Sequence, residues 1–148
     1  ILMPMLDAEK GGFAAKGRVV IGTVEGDIHD IGKSLVAGFL RAAGYEVHDL
    51  GVDVSVQQFV EKAREVDADI AALSALLSTT VVNMTKVIEA LKKAGLRDRV
   101  KVIIGGAPCD GDFARKIGAD GYGGNAYEAV RIADELMKSS WSWRRKRK

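Results

Sequence analysis

The sequence predicts a doubly wound α/β domain: a five-stranded parallel sheet in the flavodoxin-like (Rossmann-like) order 2-1-3-4-5, with helices on both faces. Short β-branched apolar runs alternate five times with segments whose apolar residues recur at helical spacing. Residues that start and stop helices stand at the junctions. With 148 residues, 47% hydrophobic and 28% charged, the chain suits one ordinary core and leaves no room for a second. Strands joined through helices take right-handed crossovers, which makes the sheet parallel.

The first strand is expected over Arg18 to Val24, followed by a helix that carries Leu35, Val36, Phe39 and Leu40 on its inner face and stops at Gly44. Tyr45 to Leu50 form the second strand. Ser55 and Gln58 then have the capping-box spacing, ahead of Val56, Phe59, Val60 and Ala63. Asp69 to Ala75 form the third strand, and Met84, Val87, Ile88 and Leu91 face inward from a helix that ends at Gly95. Val100 to Gly105 form the fourth, before a short helix from Gly111 to Ile117 closed by Gly118. Asp120 to Gly123 form a short fifth strand. Asn125 and Glu128 cap the last helix, Ala126 to Met137, whose inner side is Val130, Ala133, Leu136 and Met137.

This divides the chain into a domain over 16–138, a preceding 1–15 expected to be a residual linker or the end of an N-terminal helical domain, and a basic tail over 139–148. The longest apolar-rich stretch, Ile70 to Leu77, is far short of the roughly 20 residues that cross a bilayer. The single cysteine, Cys109, makes no internal disulfide and fits a reducing, cytoplasmic compartment. Net charge is +2, but Arg144, Arg145, Lys146, Arg147 and Lys148 supply more than all of it, so the body of the chain is net acidic. A terminal charge run of this kind is ordinarily a solvated tail, and nucleic acid is not an expected partner.

In a doubly wound sheet, ligands bind outside the carboxyl ends of the strands. The loops there are Glu25 to Asp30, Ala75 to Thr80, Gly106 to Gly111 and Gly123 to Asn125. In the first, His29 stands two residues from Asp27, and a carboxylate that accepts one ring N–H leaves the other nitrogen as a basic ligand or proton acceptor. In the second, Ser74, Ser78, Thr79 and Thr80 offer hydroxyls that either cap the next helix or donate to a ligand. Gly105, Gly106, Gly123 and Gly124 leave the other two mouths poor in side chains, which points to a deep slot. His48, at the end of the second strand, is an ordinary paired or surface histidine. Two His and one Cys in unrelated loops supply no zinc site.

Asp27-x-His29-x-x-Gly32, then 41 residues, Ser74-x-Leu76, then 28 residues and Gly105-Gly106, resembles the cobalamin-binding domains of B12-dependent methyltransferases and carbon-skeleton mutases. The run Gly22 to Lys33 is most similar to the small corrinoid proteins of methanol and methylamine methyltransferase systems, with methionine synthase close behind.

The resemblance implies a cobalamin, methylcobalamin or a related corrinoid, bound with its own base off the cobalt and His29 as the lower axial ligand of the metal. Asp27 would hold the distal ring nitrogen and Thr80 extend that relay; these three form the implied catalytic set. Ser74 would lie near the buried base. Gly105 and Gly106 would give the nucleotide tail room, and Gly32 would let the next helix pass close to it. Asp30, Ile31, Leu76, Ser78, Gly123 and Gly124 complete the implied cofactor contacts. Cys109 replaces a more familiar aliphatic residue and reads as a small, half-buried filler. Family members of this type carry a helical domain ahead of the Rossmann-like part, covering the upper face of the cobalt.

The implied function is a methyl carrier, not a complete enzyme. It would take a methyl group from a substrate-specific methyltransferase and deliver it to an acceptor methyltransferase of tetrahydrofolate or thiol type. The alternatives are the cobalamin subunit of an adenosylcobalamin mutase, or a B12-based regulator. A signalling receiver on the same fold would need an Asp ending strand 3 and a Lys after strand 5, where this chain has Ser74 and Gly123.

Overall fold

A computed structural model describes residues 15–139. The elements run β1 (Arg18–Thr23), α1 (Ile31–Ala42), β2 (Glu46–Asp49), α2 (Val56–Val66), β3 (Ile70–Ser74), α3 (Val82–Lys93), β4 (Lys101–Gly105), α4 (Gly111–Ile117), β5 (Gly121–Tyr122) and α5 (Ala126–Ser139). The sheet order is β2-β1-β3-β4-β5, and every pairing is parallel, as expected. The expected first strand runs one residue too far, because Val24 leaves the ladder for an isolated bridge to Val54. The fifth strand shrinks to Gly121–Tyr122, and α5 continues past Met137 to Ser139. Expectations for the basic tail beyond that, and for 1–14, fall outside the described residues.

Alternation along the central strands splits the core in two. Val20, Ala71, Leu73, Val102 and Ile104 face α2 and α3, where Phe59, Met84, Ile88 and Leu91 are buried. Val19, Ile21, Ile70, Ala72 and Ile103 face the other way, against Ala37 and Leu40 of α1 and Ala133 of α5. Both faces of the three central strands are thereby covered, which is why they read as unbroken apolar runs.

The helix stops follow one rule. Leu91, Leu40 and Ala114 carbonyls accept the N–H of the residue after Gly95, Gly44 and Gly118 respectively, closing α3, α1 and α4. At α2 the left-handed position is taken by Asp67, at φ +56, with Ala68 N–H on the Ala63 carbonyl. Ser55 and Gln58 form the full reciprocal capping box.

One expected face is corrected. Along α1 the buried residues are Lys33, Ala37 and Leu40, while Leu35 and Phe39 stay largely exposed. Leu35, on the amino-terminal half of α1, lines an open slot at the sheet. Among the described residues, no helix is long and apolar enough to cross a membrane.

Candidate functional site

Parallel register brings the candidate residues to one edge. Thr23 pairs with Ser74 and Ser74 with Gly105, so the carboxyl ends of β1, β3 and β4 finish in one row. The loops leaving that row carry most of the residues singled out above.

Asp27 is fully buried behind His29. Its Oδ2 accepts the backbone N–H groups of Leu76, at 2.8 Å, and Leu77, at 3.3 Å, together with the Thr80 hydroxyl at 2.7 Å. Its Oδ1 accepts the backbone N–H of His29 at 3.1 Å and meets the ring Nδ1 at 2.6 Å. Burial alone would raise the pKa of this carboxyl; hydrogen bonds from Thr80, from the His29 ring and from the Leu76 and His29 amides outweigh it and hold the group well below the ordinary carboxylate range. An ionised Asp27 only accepts, so the proton in the 2.6 Å contact sits on Nδ1. A ring holding that single proton presents Nε2 as a lone pair, and the His29 side chain is 47% exposed.

Beside His29 opens a cavity of about 460 Å³ between the sheet and helices α1 and α5. Of the residues expected to hold a cofactor, His29, Asp30, Ile31, Gly32, Ser74, Leu76, Gly105, Gly106, Gly123 and Gly124 all line it. Asp27 and Thr80 stand behind the wall as support. Ser78 is exposed on the turn before α3 and is not part of the lining.

The glycines of the wall separate by cause. A side chain at Gly106 would place its Cβ 1.7 Å from the Ala75 carbonyl oxygen, and φ there is +123, so the end of β3 demands this glycine. At Gly105 a Cβ would come 3.0 Å from the Gly123 carbonyl, and at Gly123 one would come 2.9 Å from Ala129 Cα. These three are explained by the protein's own packing. Gly32 is different: a Cβ there meets nothing within 4 Å, although glycine in a helix costs about 0.5–1 kcal/mol relative to alanine.

Several contributors were not foreseen. Leu35, Val36, Leu40, Ala72, Ile103 and Ala129 make the walls apolar. Lys33 is buried, with its ammonium 2.8 Å from both Asp49 oxygens and 2.7 Å from Asp30 Oδ1. These ion pairs outweigh burial and raise its pKa. The Asp30 to Lys33 spacing was the available signal. Asp53, at φ +52, holds Gly26 N–H on its carboxylate and donates its own N–H to the Asp27 carbonyl. Cys109 is buried with its Sγ 3.8 Å from Met84 Sδ and 3.6 Å from the Gly105 carbonyl. Burial and the nearby Asp110 push its thiol up to about 11, which fits a filler. His48 pairs with Glu46 at 2.7 Å on the edge strand.

The geometry suits a large, mainly apolar ligand bearing a metal of its own. Among the described residues no group of three or more His, Cys, Asp or Glu converges to hold a bare ion. One oriented imidazole stands instead at the mouth of a deep slot, beside the exposed apolar side chains of Ile28 and Ile31. An imidazole of this kind completes the coordination of a metal whose other ligands arrive with it. The slot is open at Gly32, where a Cβ would meet nothing within 4 Å.

Residues 17–131 match the family model of the B12 binding domain. The chain is 55% identical over 136 residues to dimethylamine corrinoid protein 3 of Methanosarcina mazei, covering 92% of this chain and 79% of that one. The monomethylamine corrinoid protein of Methanosarcina barkeri superposes with a TM-score of 0.77 at 38% identity, over 91% of this chain and 63% of that one. A chain of the methanol:cobalamin methyltransferase complex MtaBC from the same organism superposes with a TM-score of 0.80 at 34% identity, over 88% of this chain and 51% of that one.

Proposed function

This chain belongs to the B12-binding domain family, and from that premise we propose that it is the corrinoid-carrying part of a methylamine-type methyltransferase system, with His29 as the lower axial ligand of the cobalt. The observation that carries the proposal is the Asp27–His29 contact at 2.6 Å, because an ionised Asp27 fixes the tautomer that leaves Nε2 free to bind a metal. The bound corrinoid would supply a cobalt able to accept and release a methyl group.

The chain's residues do the rest. His29 ligates, and Asp27 and Thr80 keep its ring oriented and electron-rich. The slot walled by α1, the sheet and α5 takes the nucleotide tail. Ile28, Ile31 and Leu76 give an apolar rim against which the corrin can lie. On this proposal the partners are a methyltransferase that loads the methyl group and an acceptor methyltransferase, of tetrahydrofolate or thiol type, that removes it. The similarity to a chain of a methyltransferase complex supports partners of that class. A cytoplasmic setting keeps Cys109 reduced and suits the proposed exchange.

The test is reconstitution with hydroxocobalamin, followed by gel filtration and reduction to Co(II). One corrinoid per chain is expected, with splitting from a protein nitrogen in the paramagnetic resonance spectrum of ¹⁵N-labelled protein. Splitting from the cofactor's own base would overturn the axial assignment, and failure to retain any corrinoid would overturn the proposal as a whole.

A further inference from the structure

The loop that presents His29 is also fastened from behind. Thr23, the last residue of β1, is fully buried and donates its hydroxyl to the backbone carbonyl of His29 at 2.8 Å. That carbonyl is the one a longer helix would use. Lys33 lies four residues on, and a helical bond from its N–H to the His29 carbonyl would make His29, in place of Asp30, the N-cap of α1. Instead the helix opens one residue later, with Ser34 N–H on the Asp30 carbonyl at 2.8 Å.

Asp30 does not set this boundary. Its backbone lies in the helical region, at φ −117 and ψ −28, and its side chain makes no capping hydrogen bond. Its carboxylate is committed to Lys33 at 2.7 Å. The His29 carbonyl, held by the Thr23 hydroxyl, accepts no helical bond from Lys33. The boundary matters for the ring because one Asp27 oxygen takes both the His29 amide, at 3.1 Å, and Nδ1, at 2.6 Å, so a His29 backbone turned toward α1 would carry the ring away from it.

We propose that Thr23 is a positioning residue for His29: by holding the His29 carbonyl it stops α1 one residue short and keeps the imidazole on Asp27. Asp53 assists from the other side, since its contacts to Gly26 N–H and the Asp27 carbonyl fix the start of the same loop.

The experiment compares Thr23→Val, which keeps the branched shape and removes the donor, with Thr23→Ser, which keeps the donor. In the chain free of corrinoid, ¹⁵N nuclear magnetic resonance reads the His29 tautomer, and hydrogen exchange reads the Lys33 amide. Loss of one such hydrogen bond should lower the ratio of seated to released ring roughly two- to tenfold and slow Lys33 exchange, with Thr23→Ser close to the parent. Thr23→Cys, a weaker donor, repeats the test should valine unfold the chain. A Thr23→Val chain with parental tautomer signals and Lys33 exchange overturns the proposal. With cobalamin bound, Thr23→Val should retain corrinoid but show weaker protein-nitrogen splitting. That arm rests on the axial-ligand proposal above: if the parent chain itself shows no protein nitrogen on cobalt, that proposal fails, while the corrinoid-free measurements still decide the role of Thr23.

Discussion

The carboxylate of Asp27 and the ring of His29, two positions apart in the chain, meet at 2.6 Å with the carboxylate fully buried and the ring half exposed. The burial is asymmetric for a reason. Asp27 is pinned from within by Leu76, Leu77 and Thr80, so the movable member of the pair is the ring. The buried carboxylate thus holds Nδ1 and leaves the rest of the ring partly exposed.

Asp27→Asn should reverse the tautomer. Oδ2 faces the Leu76 and Leu77 amides and the Thr80 hydroxyl, so an asparagine turns its carbonyl inward and its NH₂ toward His29. That NH₂ donates to Nδ1, which moves the ring proton to Nε2 and removes the lone pair aimed outward. The expected result is retained corrinoid with no protein nitrogen on Co(II), and a ¹⁵N spectrum in which the protonated ring nitrogen has changed. An unchanged tautomer would show that Asp27 does not set it.

Acid should weaken the fold through the same group. Asp27 has a lower pKa folded than unfolded, so its contribution to stability is present above the unfolded value of about 3.9 and is lost as pH falls toward the folded one. Urea denaturation of the corrinoid-free chain should show stability dropping from about pH 5 downward. In Asp27→Asn the drop should be shallower, from a lower starting point at pH 7. Parallel curves for the two chains would place the acid sensitivity elsewhere.

The order of the sheet, the carboxyl-edge location of the site and the pairing of Asp27 with His29 were legible because each rests on spacing. Periodicity fixes elements, and the motif fixes two side chains on one short loop. The family resemblance drawn from Asp27, His29, Gly32, Ser74 and the Gly105-Gly106 pair is borne out by the match over residues 17–131. What spacing does not encode is which neighbour a residue meets across the fold. Gly106 is set by the Ala75 carbonyl, Thr23 by the His29 carbonyl, and the exposure of Leu35 by a slot that only the packed sheet and helices create. Asp67 ends a helix where a glycine was the only signal to look for.

Cys109 should behave as a buried filler. With its thiol pushed up to about 11, the thiolate fraction at pH 8 is roughly a hundredfold below that of an ordinary exposed cysteine. Alkylation by iodoacetamide should be slower by at least that factor in the folded chain and become fast in urea. Cys109→Ala should leave corrinoid binding intact, since the residue is not part of the cavity lining. Rapid alkylation of the folded chain would contradict the packing against Met84.

Gly106, whose Cβ would strike the Ala75 carbonyl, and Gly32, whose Cβ would meet open space, should respond differently to substitution. Gly106→Ala puts a methyl group against the Ala75 carbonyl at a backbone angle that L residues rarely adopt, so the ends of β3 and β4 must part. Strain and overpacking together should cost about 3 kcal/mol or more, visible in urea denaturation of the corrinoid-free chain. Gly32 carries no such demand. Gly32→Ala should leave the corrinoid-free chain unchanged or more stable by up to about 1 kcal/mol, because its methyl group meets empty space in the first turn of α1. Gly32→Leu extends a branched side chain into the slot, where overpacking of about 1–3 kcal/mol is a roughly five- to hundredfold loss of corrinoid affinity. Equilibrium dialysis with hydroxocobalamin, run beside the denaturation curves, reads both quantities on each variant. The expected pattern is a folding defect for Gly106→Ala and a binding defect in a stable fold for Gly32→Leu. Parental affinity in Gly32→Leu would mean that nothing bound approaches α1 at this residue, and the slot would lose its assignment to the nucleotide tail.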